Sequence, residues 1–167
     1  LPDGSVKEYA KGSTSMDVAK SISEGLARNV ISANFNNATV ETNTPLTENG
    51  SLTLYTFNDD EGKKAFWHSS AHVLAQAITC FYPDVKLTIG PAIDNGFYYD
   101  VDLGDDIISE KNFSEIEKKF LELARGKHEF KMRDVSKADA LAKYKKEGNE
   151  YKVELIENLT DGDITFC

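Results

Sequence analysis

Residues 61–81 read EGKKAFWHSSAHVLAQAITCF, and this stretch organises the second half of the chain. Trp67, Ala71, Leu74, Ile78 and Phe81 recur every three or four positions. The segment is therefore expected to be a helix with those side chains as its buried stripe. Pro83 stops it, because proline lacks the N–H that a further turn requires. About 100° around the helix lies a second face with His68, His72 and Thr79, and Ala75 among them. Residues four apart are neighbours on a helix surface, so His68 and His72 project side by side. Two imidazoles so placed bind a metal, share a proton or grip a polar substrate. The spacing fits equally well two polar histidines satisfied beside a core. His68-Ser69-Ser70-Ala71-His72 lacks the intervening Glu of a metalloprotease helix. A structural metal needs about four ligands, and His128 stands at no ligand-type spacing, so no metal is assigned.

Downstream, residues 86–89 and 97–101 read as two short strands, the second rich in Phe and Tyr. Asp94-Asn95-Gly96 between them is a tight-turn signature. Gly90-Pro91 and Asn95-Gly96 let backbone come close to a ligand. Tyr98 and Tyr99 point to opposite faces of their strand, so one packs while the other faces a cleft; a plain hairpin accounts for them as well. A helix is expected over 112–124, with Phe113, Ile116, Phe120 and Leu123 on one face and Gly126 as its stop. Residues 129–135 alternate like a strand, Ser136 caps a helix through about residue 146, and 164–167 read as a strand. Residues 151–156 are apolar and alternating, with Lys152 inside the run. That lysine either faces solvent or aims its charge into a pocket, and spacing does not decide between them.

Upstream, the polar, turn-forming run Asn58-Asp59-Asp60-Glu61-Gly62 marks a linker, dividing the chain into 1–60 and 61–167. The first unit opens on Pro2-Asp3-Gly4, a turn, followed by a half-buried strand over 6–9. Ser13, Thr14 and Ser15 offer capping oxygens before a helix in which Met16, Ala19, Ile22 and Leu26 share a face. Strands follow at 30–35, 39–41 and 52–57, with Asn36-Asn37 as a turn. That order suits a small β-grasp sheet crossed by one helix. The chain starts at Leu1 without Met, so the sheet's first strand is expected to be partly lost. The whole is α+β.

Composition bounds the rest. The 167 residues are 40% hydrophobic and 28% charged, an ordinary globular balance with 9 Phe and 7 Tyr for a core. No apolar run reaches the roughly 18 residues of a membrane span, and the first ten residues lack the pattern of a signal peptide. Cys80 and Cys167 are the two cysteines, too few for a disulfide framework, which fits a reducing cytoplasm. The net charge of −9 argues against a nucleic-acid binder, but its distribution is uneven. Residues 111–146 hold 11 Lys/Arg and 6 Asp/Glu, a local +5. Such a run is ordinarily the solvated face of helices.

Trp67-His68-Ser69-Ser70-Ala71-His72-Val73-Leu74, followed by Ile89-Gly90-Pro91-Ala92-Ile93-Asp94-Asn95-Gly96-Phe97-Tyr98-Tyr99-Asp100-Val101, resembles the start of the editing domain of threonyl-tRNA synthetases. Leu1-Pro2-Asp3-Gly4-Ser5 with Met16-Asp17-Val18-Ala19 is similar to the β-grasp TGS domain that precedes it, and Gly148-Asn149-Glu150-Tyr151-Lys152-Val153 also matches the family. The resemblance implies an N-terminal region of an enzyme that joins threonine to its tRNA with ATP. In that enzyme zinc and ATP/Mg belong to an aminoacylation domain outside this sequence. It implies editing, the hydrolysis of serine wrongly attached to threonine tRNA. Serine differs from threonine by one methyl, worth only about 1–3 kcal/mol of discrimination. By resemblance His68 and His72 line the cleft, Lys152 contacts substrate or the attacking water, and Gly90 and Tyr99 wall the pocket that reads serine. The basic stretch would face tRNA. The family's Cys-x-x-x-His half-motif does not occur in this sequence, so little or no deacylation is expected of residues 1–167 alone. They are expected to be monomeric and the full enzyme a homodimer. Two other readings stay open: a free-standing alanyl-type editing protein, and a non-enzymatic module binding RNA or protein.

Overall fold

The computed structural model describes residues 6–126, 128, 130, 132–160, 162 and 164–166. It divides into two compact units, Leu1–Trp67 and His68–Cys167. The Pro2-Asp3-Gly4 turn and Cys167 lie outside the described residues.

In the first unit, α1 (Ser15–Ile22) begins at Thr14. The Thr14 hydroxyl accepts from the Asp17 amide (3.1 Å), and the Asp17 carboxylate accepts from the Thr14 amide (3.0 Å). This reciprocal box satisfies two N–H groups that a helix start leaves unpaired. The single helix expected over this region is two, because Ser23 in extended conformation ends α1 and caps α2 (Glu24–Asn29) by accepting from the Leu26 amide. A serine whose side chain serves the backbone favours a cap over a helix interior. Strands β1 (Val30–Phe35), β2 (Ala38–Val40) and β3 (Leu52–Thr56) form an antiparallel sheet in the order β2-β1-β3. Asn36 and Asn37 both take positive φ between β1 and β2, as a two-residue turn matched to strand twist requires. Ala19, Val30 and Ala33 are the buried apolar residues of this unit. The expected strand over 6–9 does not form: Val6 is 91% exposed and the segment is irregular. Among the described residues no strand pairs with this segment, so no ladder hydrogen bonds make it part of the sheet.

Helix α3 (Asp60–Phe81) follows. At its start the Asp59 carboxylate accepts from the Thr56 amide and hydroxyl (2.7 and 2.9 Å), which hold that carboxyl below its usual range. Gly62 lies so close to the Thr56 carbonyl that any Cβ would collide with it.

In the second unit, Ala77 and Ile78 of α3 and Ile116 of α4 (Glu110–Arg125) nucleate one core, joined by Leu74, Tyr82, Val85, Val101, Ile108, Phe120 and Leu123. Ala75, expected on the histidine face, is buried. Phe81, expected in the stripe, is 44% exposed. Tyr82, four residues after Ile78, continues the stripe instead. Gly126 caps α4 in right-handed conformation, so its freedom for positive φ is not what stops the helix. Ser136 caps α5 (Lys137–Lys146) as expected.

Residues 151–156 are not a strand but part of α6 (Glu150–Glu157). Gly148 takes the positive φ of a helix C-terminus and Asn149 caps the new helix. Val153 and Ile156 then turn inward at a spacing of three. Ala140, Ile156 and Ile164 form a second core with Val135, Leu141, Tyr144 and Phe166.

The strands expected at 86–89 and 97–101 are one long hairpin broken by a register change. Its base pairs β4 (Lys86–Leu87) with β7 (Val101–Asp102), and its tip pairs β5 (Ala92–Ile93) with β6 (Gly96–Phe97). Leu87 pairs with Val101 and Ala92 with Phe97, so the arm carrying Gly90-Pro91 holds one extra residue. An unpaired extra residue kinks a ladder, and proline has no N–H to donate. Asp94 and Asn95 form the tip, with Gly96 at positive φ. Of the strand expected over 129–135, residues 133–134 are extended as β8 (Arg133–Asp134), paired with β9 (Thr165–Phe166). Positions 129 and 131 lie outside the described residues.

Candidate functional site

His68 and His72 lie one turn apart on α3. Their Nε2 atoms are 3.2 Å apart and their rings meet edge to face, with centroids 4.7 Å apart. One Nε2 carries a hydrogen and donates it; the other is bare and accepts. The contact therefore exists while at least one ring is neutral. His72 is the less exposed of the two. Burial depresses its pKa first, the neighbouring His68 second, and the positive charge of Lys152 third.

That third cause joins two distant parts of the chain. Lys152 lies in the first turn of α6, half-buried, and burial lowers its own pKa. It comes near His72 because Asn149 is anchored. The Asn149 side chain accepts from the Lys152 amide at 3.0 Å and donates to the Leu87 carbonyl of β4 at 3.1 Å. Tyr151 secures the same turn by donating to the Asp102 carboxylate of β7 at 3.0 Å. Lys152 is thus half-buried, within electrostatic reach of His72, rather than fully open to solvent.

Gly90 and Tyr99 meet across the hairpin. A Cβ on Gly90 would collide with the Tyr99 ring, so glycine is required for that packing. Tyr99 is half-buried and its hydroxyl pKa is raised, by burial first and by Tyr144 of α5 second. Tyr98, between β6 and β7 (Val101–Asp102), is 46% exposed. One tyrosine packs and the other is more exposed, although residues 98–100 lie between β6 and β7 rather than in a strand.

The described structure thus places His68 with His72, Lys152 within electrostatic reach of His72, and Gly90 against Tyr99. Two residues near the site were missed by sequence reasoning. Phe130, beyond α4, brings its ring centroid 6.2 Å from that of His72; no local pattern announces such a contact. Asn149 was read as part of a motif but not as an anchor, although an Asn after Gly at a helix start is a capping signal. Among the described residues no three His, Cys, Asp or Glu side chains converge as a metal site would require.

Five of the eleven Lys/Arg of the basic stretch are seen engaged within the chain. Lys119 pairs with Glu122, Lys143 with Glu147 and Lys145 with Glu157. Lys137 donates to the Glu157 and Leu159 carbonyls at the end of α6. Arg133 and Lys143 lie over the Phe166 ring. Much of the local +5 therefore supports α5, α6 and β9. No helix among the described residues is long and apolar enough to cross a membrane.

Comparison with known proteins places the chain. A family model for the TGS domain matches residues 1–56. Over all 167 residues the chain is 67% identical to a threonine–tRNA ligase of Flavobacterium psychrophilum, of which it covers 26%. It is 65% identical over the same span to a threonine–tRNA ligase of Flavobacterium johnsoniae, again covering 26%. It is 52% identical over 99% of its length to one from Cytophaga hutchinsonii, covering 26%. The chain spans about a quarter of the length of these relatives. It carries a ubiquitin-like β-grasp TGS domain, and from end to end it matches the N-terminal region of threonine–tRNA ligases.

Proposed function

We propose that the chain is the N-terminal region of a threonine–tRNA ligase, and that its second unit supplies part of a site that removes serine from wrongly charged threonine tRNA. The observation that carries this reading is the convergence of His68 and His72 on α3 with Lys152 on α6. Hydrolysis of an aminoacyl ester needs an oriented water, charge stabilisation at the carbonyl oxygen, and a grip on the terminal adenosine. The water oxygen bonds to the carbonyl carbon and the ester C–O bond breaks. The ribose oxygen takes up a proton, leaving free serine and a free tRNA end. An imidazole held neutral, as His72 is, can orient or accept from that water. The Lys152 ammonium opposes the negative charge that develops on the carbonyl oxygen. Gly90 and Tyr99 form a tight wall where threonine's extra methyl meets resistance and serine does not.

The TGS match over residues 1–56 disfavours a free-standing editing protein of the alanyl type. In this reading tRNA is the partner and the cytoplasm the setting. Zinc and ATP/Mg act in the aminoacylation domain of the whole ligase, as do the contacts of its homodimer. In this reading residues 1–167 alone hydrolyse little, because they carry half of the side-chain set that the resemblance implies, and they are monomeric because the homodimer contacts belong to other regions of the ligase.

The test is His72→Ala in the ligase containing this region. Deacylation of seryl-tRNA(Thr) should fall about 100-fold or more, with aminoacylation by threonine retained. Serine removal at the original rate by a folded variant would overturn the assignment.

A further inference from the structure

Phe130 is an apolar ring left partly exposed beside a histidine pair. It is 41% exposed and belongs to neither core of the second unit. Its ring lies 6.2 Å from that of His72 at a tilt of 52°, and His72 in turn meets His68 edge-on. His72 thus meets both His68 of its own helix and Phe130, which lies beyond α4. Burial in a core does not account for an aromatic so placed. A planar ligand does, because every nucleobase offers a π-face and stacks on exposed aromatic side chains.

We propose that Phe130 stacks on the purine of the substrate's terminal adenosine while the ester lies at His68, His72 and Lys152. This rests on the editing reading above and adds a base-binding residue to it. It also follows that the site recognises the end of the tRNA by shape and stacking there, since a phenyl ring offers no hydrogen bond to a base edge. Tyr98 is an exposed aromatic of the same unit with no ring contact to His72 or His68 among those described, which makes it the control.

The experiment uses the ligase containing this region and two substrates: the seryl ester of adenosine and the same ester on a ribose lacking the base. Phe130→Ala should raise KM for seryl-adenosine about 10-fold with kcat little changed, and leave the abasic ester unaffected. Phe130→Trp should restore the lower KM, and Tyr98→Ala should change neither substrate. Equal losses on both substrates, no loss on either, or failure of tryptophan to restore binding would overturn the stacking role. His72→Ala separates the two readings. If it silences hydrolysis while Phe130→Ala has no base-dependent effect, only the stacking role falls; if hydrolysis survives it, the editing site falls and the stacking role with it.

Discussion

His72 carries the pH behaviour of the candidate site. Burial, His68 and Lys152 all disfavour its charged form, so its folded pKa lies below the ordinary value of about 6.5. The sign follows from linkage. The unfolded chain binds the proton more readily, so stability rises with pH through the region below about 6.5 and is lost as pH falls through it. Protonating both rings would also break the Nε2 contact between His68 and His72. Imidazole proton resonances followed by NMR should show His72 titrating below free histidine. In Lys152→Met the midpoint should rise, because one of the three opposing influences is gone; an unmoved midpoint would separate Lys152 from the histidine pair. The i,i+4 spacing of the two histidines was legible in the sequence because helix geometry alone sets it. The approach of Lys152 was not, since eighty positions separate it from His72 and only packing closes that gap.

Helix α6 shows where local pattern misleads. Tyr151-Lys152-Val153-Glu154-Leu155-Ile156 alternates well enough for a strand, yet it is helical. Asn149 decides the matter by capping the first turn and tying it to β4. Asn149 is 8% exposed, so removing its amide also strands the Leu87 carbonyl. Asn149→Ala should destabilise the second unit by about 2 kcal/mol, the sum of a lost cap and a lost buried hydrogen bond, read by urea denaturation. Asn149→Asp keeps the capping oxygen but loses the donor to Leu87, and should fall between the alanine variant and the native chain. If Asn149 positions Lys152, both variants also shift the His72 midpoint upward; unchanged titration would limit the asparagine to a stabilising role. By contrast β1, the Asn36-Asn37 turn and α5 lay where the sequence placed them. Their signals are local: β-branched or alternating residues, paired turn asparagines and a serine cap.

Across the whole molecule, two units hold separate cores. Ile156 is 5% exposed and packs with Ala140 and Ile164. Ile156→Ala should cost about 2–5 kcal/mol. Hydrogen exchange should show the lost protection in α5, α6 and the β8–β9 pair, with the amides of β1 and β3 keeping theirs; equal loss in both units would mean that they unfold as one. The charge pattern has the same tertiary logic. A basic stretch that invites a polyanion spends five of its eleven cations on ion pairs, carbonyls and the Phe166 ring. By itself the sequence determined the α+β class, the long helix with its paired histidines, the turns and the caps, because each depends on residues within a few positions of one another. Tertiary structure decided that residues 151–156 are tied to β4 as a helix, that Lys152 comes within electrostatic reach of His72, and that Phe130 lies partly exposed beside it. Those outcomes depend on which backbone groups find partners and which charges are buried near one another, and both are set by segments far apart in the chain.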